Sequence, residues 1–329
     1  MRFLFFLLLF YTSSAPAQLL DEEKNLVSQL NLSGGLPEKL LSTRTAVFHS
    51  YTFTPKELND AQGYFQRSGI DALVYFETDR LIANADVTRT FSDYLLKREI
   101  ANLIFLEKTE SDYRIVITLF NGKESVVDPK QNAWTVSNTV FTEILKTVYR
   151  TTANQLKKQN MLVNDVPETD IQVNPILGKR NEFFAMDLKV DMLSVPKTGD
   201  PVIDQQLDEY FKANYPLKYK LTEPGLSDKE LRKQGYLYVL RFIHTRGIAA
   251  RELLGYNMTK SESALASVTY PNGQSVLKNI PSNTVIYKAY FKHIDSGNVF
   301  LGTKWDADIS WDAALRNHIQ GLKLEFRLN

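Results

Sequence analysis

The stretch TPKELNDAQGYFQRSG, from Thr54 to Gly69, constrains the fold of this 329-residue chain most, because both ends of a helix are written into it. Thr54 offers a side-chain oxygen to the free N–H groups of a first turn. Pro55 occupies a position where no hydrogen bond is lost, Glu57 completes a capping box with Thr54, and Gly69 is the stop. RTAVFHSY before it has the composition of a strand, and DALVYFE after it reads as a buried strand. VTRTFSDYLLKREI follows as an amphipathic helix and ANLIFLEK as a further strand, so the order is βαβαβ.

Two alternating runs, DYRIVITLF and KESVVD, then flank Asn121-Gly122, the strongest short-range hairpin signal. A long helix is expected after Ser137, with Val140, Phe141, Ile144, Leu145, Val148, Tyr149 and Leu156 on its buried face. These elements define a first module of pattern βαβαβββα over residues 44–160. Residues 161–180 break the periodicity and carry two prolines, which marks a linker. The remainder, 181–329, follows a similar plan: EFFAMDLKVDML as a strand, DPVIDQQLDEYFKANY as a helix, and LKYKLTE as a short strand. SDKELRKQG is a helix with a Ser227/Glu230 capping box and a Gly235 stop, and YLYVLRFIHT is the next strand. A hairpin around Asn272-Gly273, the pair TVIYKAYFKHI and VFLGTKW joined by DSGN, and a closing helix from Trp311 complete the chain. The expected fold class is α/β (α+β), with two tandem mixed-sheet modules and helices packed on each sheet.

Residues 1–17 have one positive charge at Arg2, an apolar run from Phe3 to Tyr11 and small residues ending in Ala15-Pro16-Ala17. That is the layout of a cleaved secretory signal, and the run is far shorter than the roughly 20 residues a spanning helix needs. The mature chain is therefore expected in the periplasm or secreted, with no membrane-spanning segment. Residues 18–43 form a lead-in with no assigned role. There are no cysteines, so disulfides, thiolate metal sites and cysteine nucleophiles are excluded. With 39 Lys and Arg against 38 Asp and Glu, no net field favours nucleic acid, and none is expected as a partner.

The order βαβαβββα, together with LSDKELRKQGYLYVLRFIHT, a short helix passing through a glycine into an apolar strand, resembles the N-terminal domain of TolB and related envelope domains. The chain as a whole is similar to uncharacterised exported proteins of Bacteroidota. The resemblance implies protein binding in the bacterial envelope, to envelope proteins or peptidoglycan-associated components, and supplies no catalytic motif.

The candidate sites are few. GNVFLGTKWDAD, Gly297 to Asp308, approaches a phosphate-binding loop, but Thr303 precedes Lys304 where the lysine must come first, and NVFLGTKW is strand-like rather than a lead into a helix. It reads as a hairpin arm. Asp306 and Asp308 are assigned to capping the closing helix rather than to a metal. His49, His244, His293 and His318 lack any zinc-binding spacing, and no G-x-S-x-G elbow occurs. The most promising binding segment runs from His244 to Glu262 and concentrates His244, Arg246, Arg251, Glu252 and Lys260 near Gly247 and Gly255; the competing reading is a solvated connection with a short helix AARELLG. No catalytic residue, cofactor or metal site is assigned. The sequence favours a non-catalytic exported binding or scaffold protein of the cell envelope. The alternatives are a hydrolase or nucleotide-acting enzyme whose residues converge only in three dimensions, and a small-ligand carrier. N-terminal sequencing of protein recovered from its native cells is expected to begin at Gln18; a chain beginning at Met1 would refute cleavage.

Overall fold

The capped helix forms as expected and sets the first sheet. A computed structural model of the chain describes residues 26–257 and 263–328. The signal stretch and Lys260 lie outside these residues. Strand β1 (Arg44–His49) leads into α1 (Pro55–Ser68), which has the Thr54/Glu57 capping box complete and Gly69 in the left-handed conformation. Strand β2 (Asp71–Glu77), the short helix α2 (Thr78–Leu81), α3 (Ala85–Lys97), β3 (Ile100–Lys108), β4 (Tyr113–Leu119), β5 (Ala133–Asn138) and α4 (Phe141–Gln155) follow. The sheet order is β2-β1-β3-β4-β5, with β1 parallel to β2 and β3, and β4 antiparallel to both its neighbours. Helices α1 and α4 cover one face, where Leu58, Phe65, Ile144 and Val148 meet Val47, Tyr75 and Ile104. Helix α3 covers the other through Val87, Phe91 and Leu95.

After the irregular stretch 156–179 come β6 (Arg180–Asn181), β7 (Leu193–Pro196), α5 (Pro201–Asn214), β8 (Tyr219–Thr222), α6 (Asp228–Lys233) and β9 (Tyr238–Arg246). Helix α7 (Gly247–Leu253) and the hairpin β10 (Ala264–Thr269) and β11 (Val276–Pro281) precede β12 (Val285–His293), β13 (Val299–Phe300) and α8 (Trp311–Phe326). The second sheet runs β6-β13-β12-β9-β7-β8. Its path β8-β7-β9-β12-β13 follows the same connections and senses as β2-β1-β3-β4-β5, with α7 and the hairpin inserted where the first sheet has a tight turn. Helices α5 and α8 cover its outer face through Ile203, Phe211, Leu315 and Leu322.

On that second face the apolar layer around α3 continues into the second sheet. Phe48, Val74, Phe91 and Phe105 from the first sheet and its helix share one apolar layer with Ile243, Ala250, Leu253, Ile286 and Tyr290 from the second. At about 25 cal/mol per Å² of apolar surface removed from water, such a layer is what ties the two sheets into one body.

Four expectations change. Asn121-Gly122 is not a two-residue hairpin turn, which would need positive φ at both positions; only Gly122 has it. Asn121 instead closes a local turn onto Lys123 N–H, and the segment KESVVD folds inward so that Val126 and Val127 are buried. The partner of β4 is β5, beyond that loop. Val140 and Tyr149 point outward, 49% and 42% exposed, so the buried stripe of α4 is narrower than its apolar positions. EFFAMDLKVDML is a single 3₁₀ turn at Met186–Lys189 followed by β7, because Phe184, Ala185 and Leu188 bury at helical rather than alternate spacing. NVFLGTKW contributes only Val299–Phe300 to a strand.

Candidate functional site

The segment singled out from His244 is the seam between the sheets. Strand β9 ends at Arg246, and the connection from β2 to α3 docks against it: His244 N–H donates to the Ala83 carbonyl at 2.9 Å and Thr245 Oγ1 to the Asp79 carbonyl at 2.9 Å. Asn84 caps α3 through Val87 N–H and also donates to the Phe242 carbonyl and the Tyr290 hydroxyl.

Arg246 is 5% exposed and occupies the centre of this seam. Its Nε lies 2.5 Å from Asp79 and an Nη 2.5 Å from Glu77, its other Nη donates to Asn283, and the guanidinium sits 4.1 Å from the centre of the Tyr51 ring. Arg80 bonds Glu77 at 3.0 Å and forks onto both oxygens of Glu252 at 2.9 Å. Burial alone would raise the Glu77 pKa, but Arg80 and Arg246 outweigh it and hold the carboxyl below its ordinary value. A planar guanidinium with fixed donors suits this bridging role better than a lysine would.

The structure therefore brings Arg246 and Glu252 into one network with Glu77, Asp79 and Arg80. His244 is elsewhere, stacked on Tyr287 with ring centres 3.9 Å apart. Arg251 lies over the rings of Tyr256 and Trp305, at 5.6 and 5.7 Å. Gly247 to Leu253 is helical, in line with the short-helix reading. A second ionic group parallels the first: Asp86 of α3 takes Lys292 at 2.9 Å and Arg89 at 2.6 Å, and Lys292 also meets Asp228 at 2.7 Å. The small cavity beside it, lined by Asn84, Asp86, Tyr290 and Lys292 among others, measures about 10 Å³, room for about one water.

A third group was missed at the sequence level. Lys288, Asp306 and His318 are all buried. The Lys288 ammonium donates to the carbonyls of Ala289 and Leu301 at 2.7 and 2.8 Å and stands 2.6 Å from one Asp306 oxygen, while His318 Nδ1 is 3.0 Å from the other. Burial works against ionised Asp306, but Lys288 and then His318 hold its carboxyl below the usual range. Burial first, and Lys288 second, push the His318 pKa from 6.5 to about 4. Its Nε2 has no hydrogen-bond partner and the ring lies 4.9 Å from those of Phe184 and Phe291, so a second proton there would be buried and unpaired. Asp306 is thus not a helix cap, and Asp308 is held by Lys278 at 2.6 Å and by Asn317. The residue preceding α8 is Ser310, whose side chain makes no capping bond to the helix N–H groups. Two aspartates before a helix look like caps in sequence; only the fold reveals a lysine buried beside one of them.

Among the described residues, no group of three or more His, Asp and Glu is placed to hold a metal ion, and no helix is long and apolar enough to cross a membrane. Comparison with known family models and with curated proteins finds no match for this sequence. Chemically, these ionic groups cross-link elements: the charges are mutually paired and aimed between the sheets or into the outer core.

Arg246→Ala is expected to destabilise the fold by about 3 kcal/mol in urea denaturation, because it leaves Glu77 and Asp79 facing a gap at the seam. Arg246→Lys should recover only part of this, since a point charge cannot bridge both carboxylates. The His318 shift predicts a pH effect. Its folded pKa lies below the unfolded value, so between pH 6.5 and about 4 the unfolded chain takes up a proton that the folded chain refuses, and stability falls with pH. The loss should reach about 3 kcal/mol by the lower end, and His318→Phe should flatten the profile in that window whatever its effect at neutral pH.

Proposed function

We propose that this protein is a non-catalytic component of the bacterial cell envelope, exported to the periplasm or beyond, which works by binding envelope proteins or peptidoglycan-associated components. The observation that carries this reading is the contrast between its polar and apolar surfaces. The three charged groups that the fold gathers are paired internally, between the two sheets or in the outer core of the second. Four large apolar side chains meanwhile face solvent together on a short segment beside β6: Phe183 at 53%, Met186 at 61%, Val190 at 69% and Met192 at 42% exposed. Their neighbours Phe184, Ala185 and Leu188 are buried and anchor that segment to the outer core of the second sheet. Apolar side chains concentrated at a surface, two of them adaptable methionines, are a recurrent mark of protein-binding faces. The signal-like N-terminus supports the location.

The carrier alternative draws no support from the cavity between the sheets, which holds about one water. A photo-crosslinking residue at Met186 or Val190, in protein expressed in its native cells, is expected to capture a reproducible envelope partner, whereas the same residue at exposed Lys56 on α1 should not. Equal labelling at both sites, or no adduct at good expression, would overturn this reading.

A further inference from the structure

Every open sheet must deal with edges, whose unpaired N–H and C=O groups are a template for another strand. Among the described residues, most edges of this protein are blunted. Strand β2 is covered by the stretch around Glu168, whose carbonyl accepts from Tyr75 N–H. Strand β8 is four residues long and set among Lys218, Lys220 and Glu223. Strand β6 has two residues, between Lys179 and Glu182. The hairpin is guarded on β11 by Lys278 and Pro281, and β10 gives its Val268 N–H to the Trp305 carbonyl.

Strand β5 differs. From Gln131 to Thr142 the chain contains no charged residue and no proline, and β5 pairs with β4 without a bulge. Its outward groups can be assigned from the lead-in: Ala133 N–H donates to the Asn31 carbonyl and Gly34 N–H to the Ala133 carbonyl, so Ala133 faces away from β4. By the alternation of a strand, Thr135 and Ser137 face the same way. The lead-in stops short of them. Among the described residues neither has a backbone partner on that side, and the Thr135 hydroxyl turns inward to the Ile115 carbonyl. Among the described residues, the edge of the five-stranded sheet is thus closed at one end and open at the other.

We propose that this open half of β5 is a self-association surface, on which β5 of a second copy of the same chain pairs antiparallel about a two-fold axis through Val136. A second copy fits for three reasons. The outward residues lie symmetrically about Val136, so Thr135 of each copy exchanges both backbone bonds with Ser137 of the other, with a threonine and a serine side chain directly opposite. The absence of charge removes the like-charge repulsion that keeps identical edges apart. The lead-in at Asn31–Gly34 ends the pairing at Ala133, which limits it to the symmetric stretch and gives a closed dimer rather than an open fibre. The result is one sheet continuous across both copies.

The test is light scattering on size-exclusion chromatography over a concentration series of the mature chain, with hydrogen exchange read at the Thr135 and Ser137 amides. The expected result is a monomer–dimer equilibrium in which those two amides become protected as concentration rises, and a Ser137→Lys variant of native circular dichroism whose dimer dissociation constant is at least about tenfold higher, because the introduced lysine blunts the edge as it does on β8 and β11. A chain that stays monomeric at every concentration overturns the proposal. So does a dimer in which Thr135 and Ser137 exchange as fast as in the monomer; that readout on the unaltered chain decides the matter even where the lysine variant does not fold.

Discussion

The structure depends on one apolar layer, with α3 lying in it, that both sheets share. Helices α1 and α4 cover only one side of the first sheet, and α5 and α8 only one side of the second. The opposite sides carry Phe48, Phe76, Phe105, Ile243 and Ile286, which side chains of α3 and α7 join in a single buried cluster. Their mutual burial creates a wide apolar layer, in which an ionised group is costly unless it brings a partner. Arg246 enters with Glu77 and Asp79, Lys292 with Asp86 and Asp228, and Asn84 with a backbone carbonyl and a tyrosine hydroxyl. The seam therefore gathers ionisable residues for structural reasons.

The same reasoning accounts for the cluster of charges near the turn after β9. Arg246 and Glu252 stand close in sequence to His244 and Arg251, yet the four serve three different local environments: an ionic bridge for Arg246 and Glu252, a tyrosine stack for His244, and an aromatic edge for Arg251. The partners that define them, Glu77, Asp79, Arg80, Tyr287 and Trp305, come from distant parts of the chain. The two surfaces proposed for binding are places where little chemistry is written: an apolar segment at Phe183–Met192 and an uncharged strand edge.

The alternation of capped helices and apolar strands was legible because each signal is local. A capping box needs only four consecutive residues, so Thr54/Glu57 and Ser227/Glu230 could be located and paired with their glycine stops. Asn272-Gly273 likewise marks a real turn, with both residues at positive φ. The same reasoning failed at Asn121-Gly122, where burial of Val126 and Val127 in the shared layer dictates the path of the chain, and at Phe183–Met192, where outward and inward apolar residues alternate irregularly because one side meets the core and the other meets solvent.

By itself, the sequence determined the fold class, most of its helices and strands, the lack of any thiol chemistry and a near-neutral charge, since all of these follow from composition and from interactions spanning a few residues. Tertiary structure alone decided that the two sheets share a core, that Asp306 neutralises a buried Lys288 instead of capping a helix, and which strand edge is left uncovered among the described residues. Each of these depends on residues far apart in the chain meeting in a water-poor interior, where burial decides which charges and backbone groups must find one another.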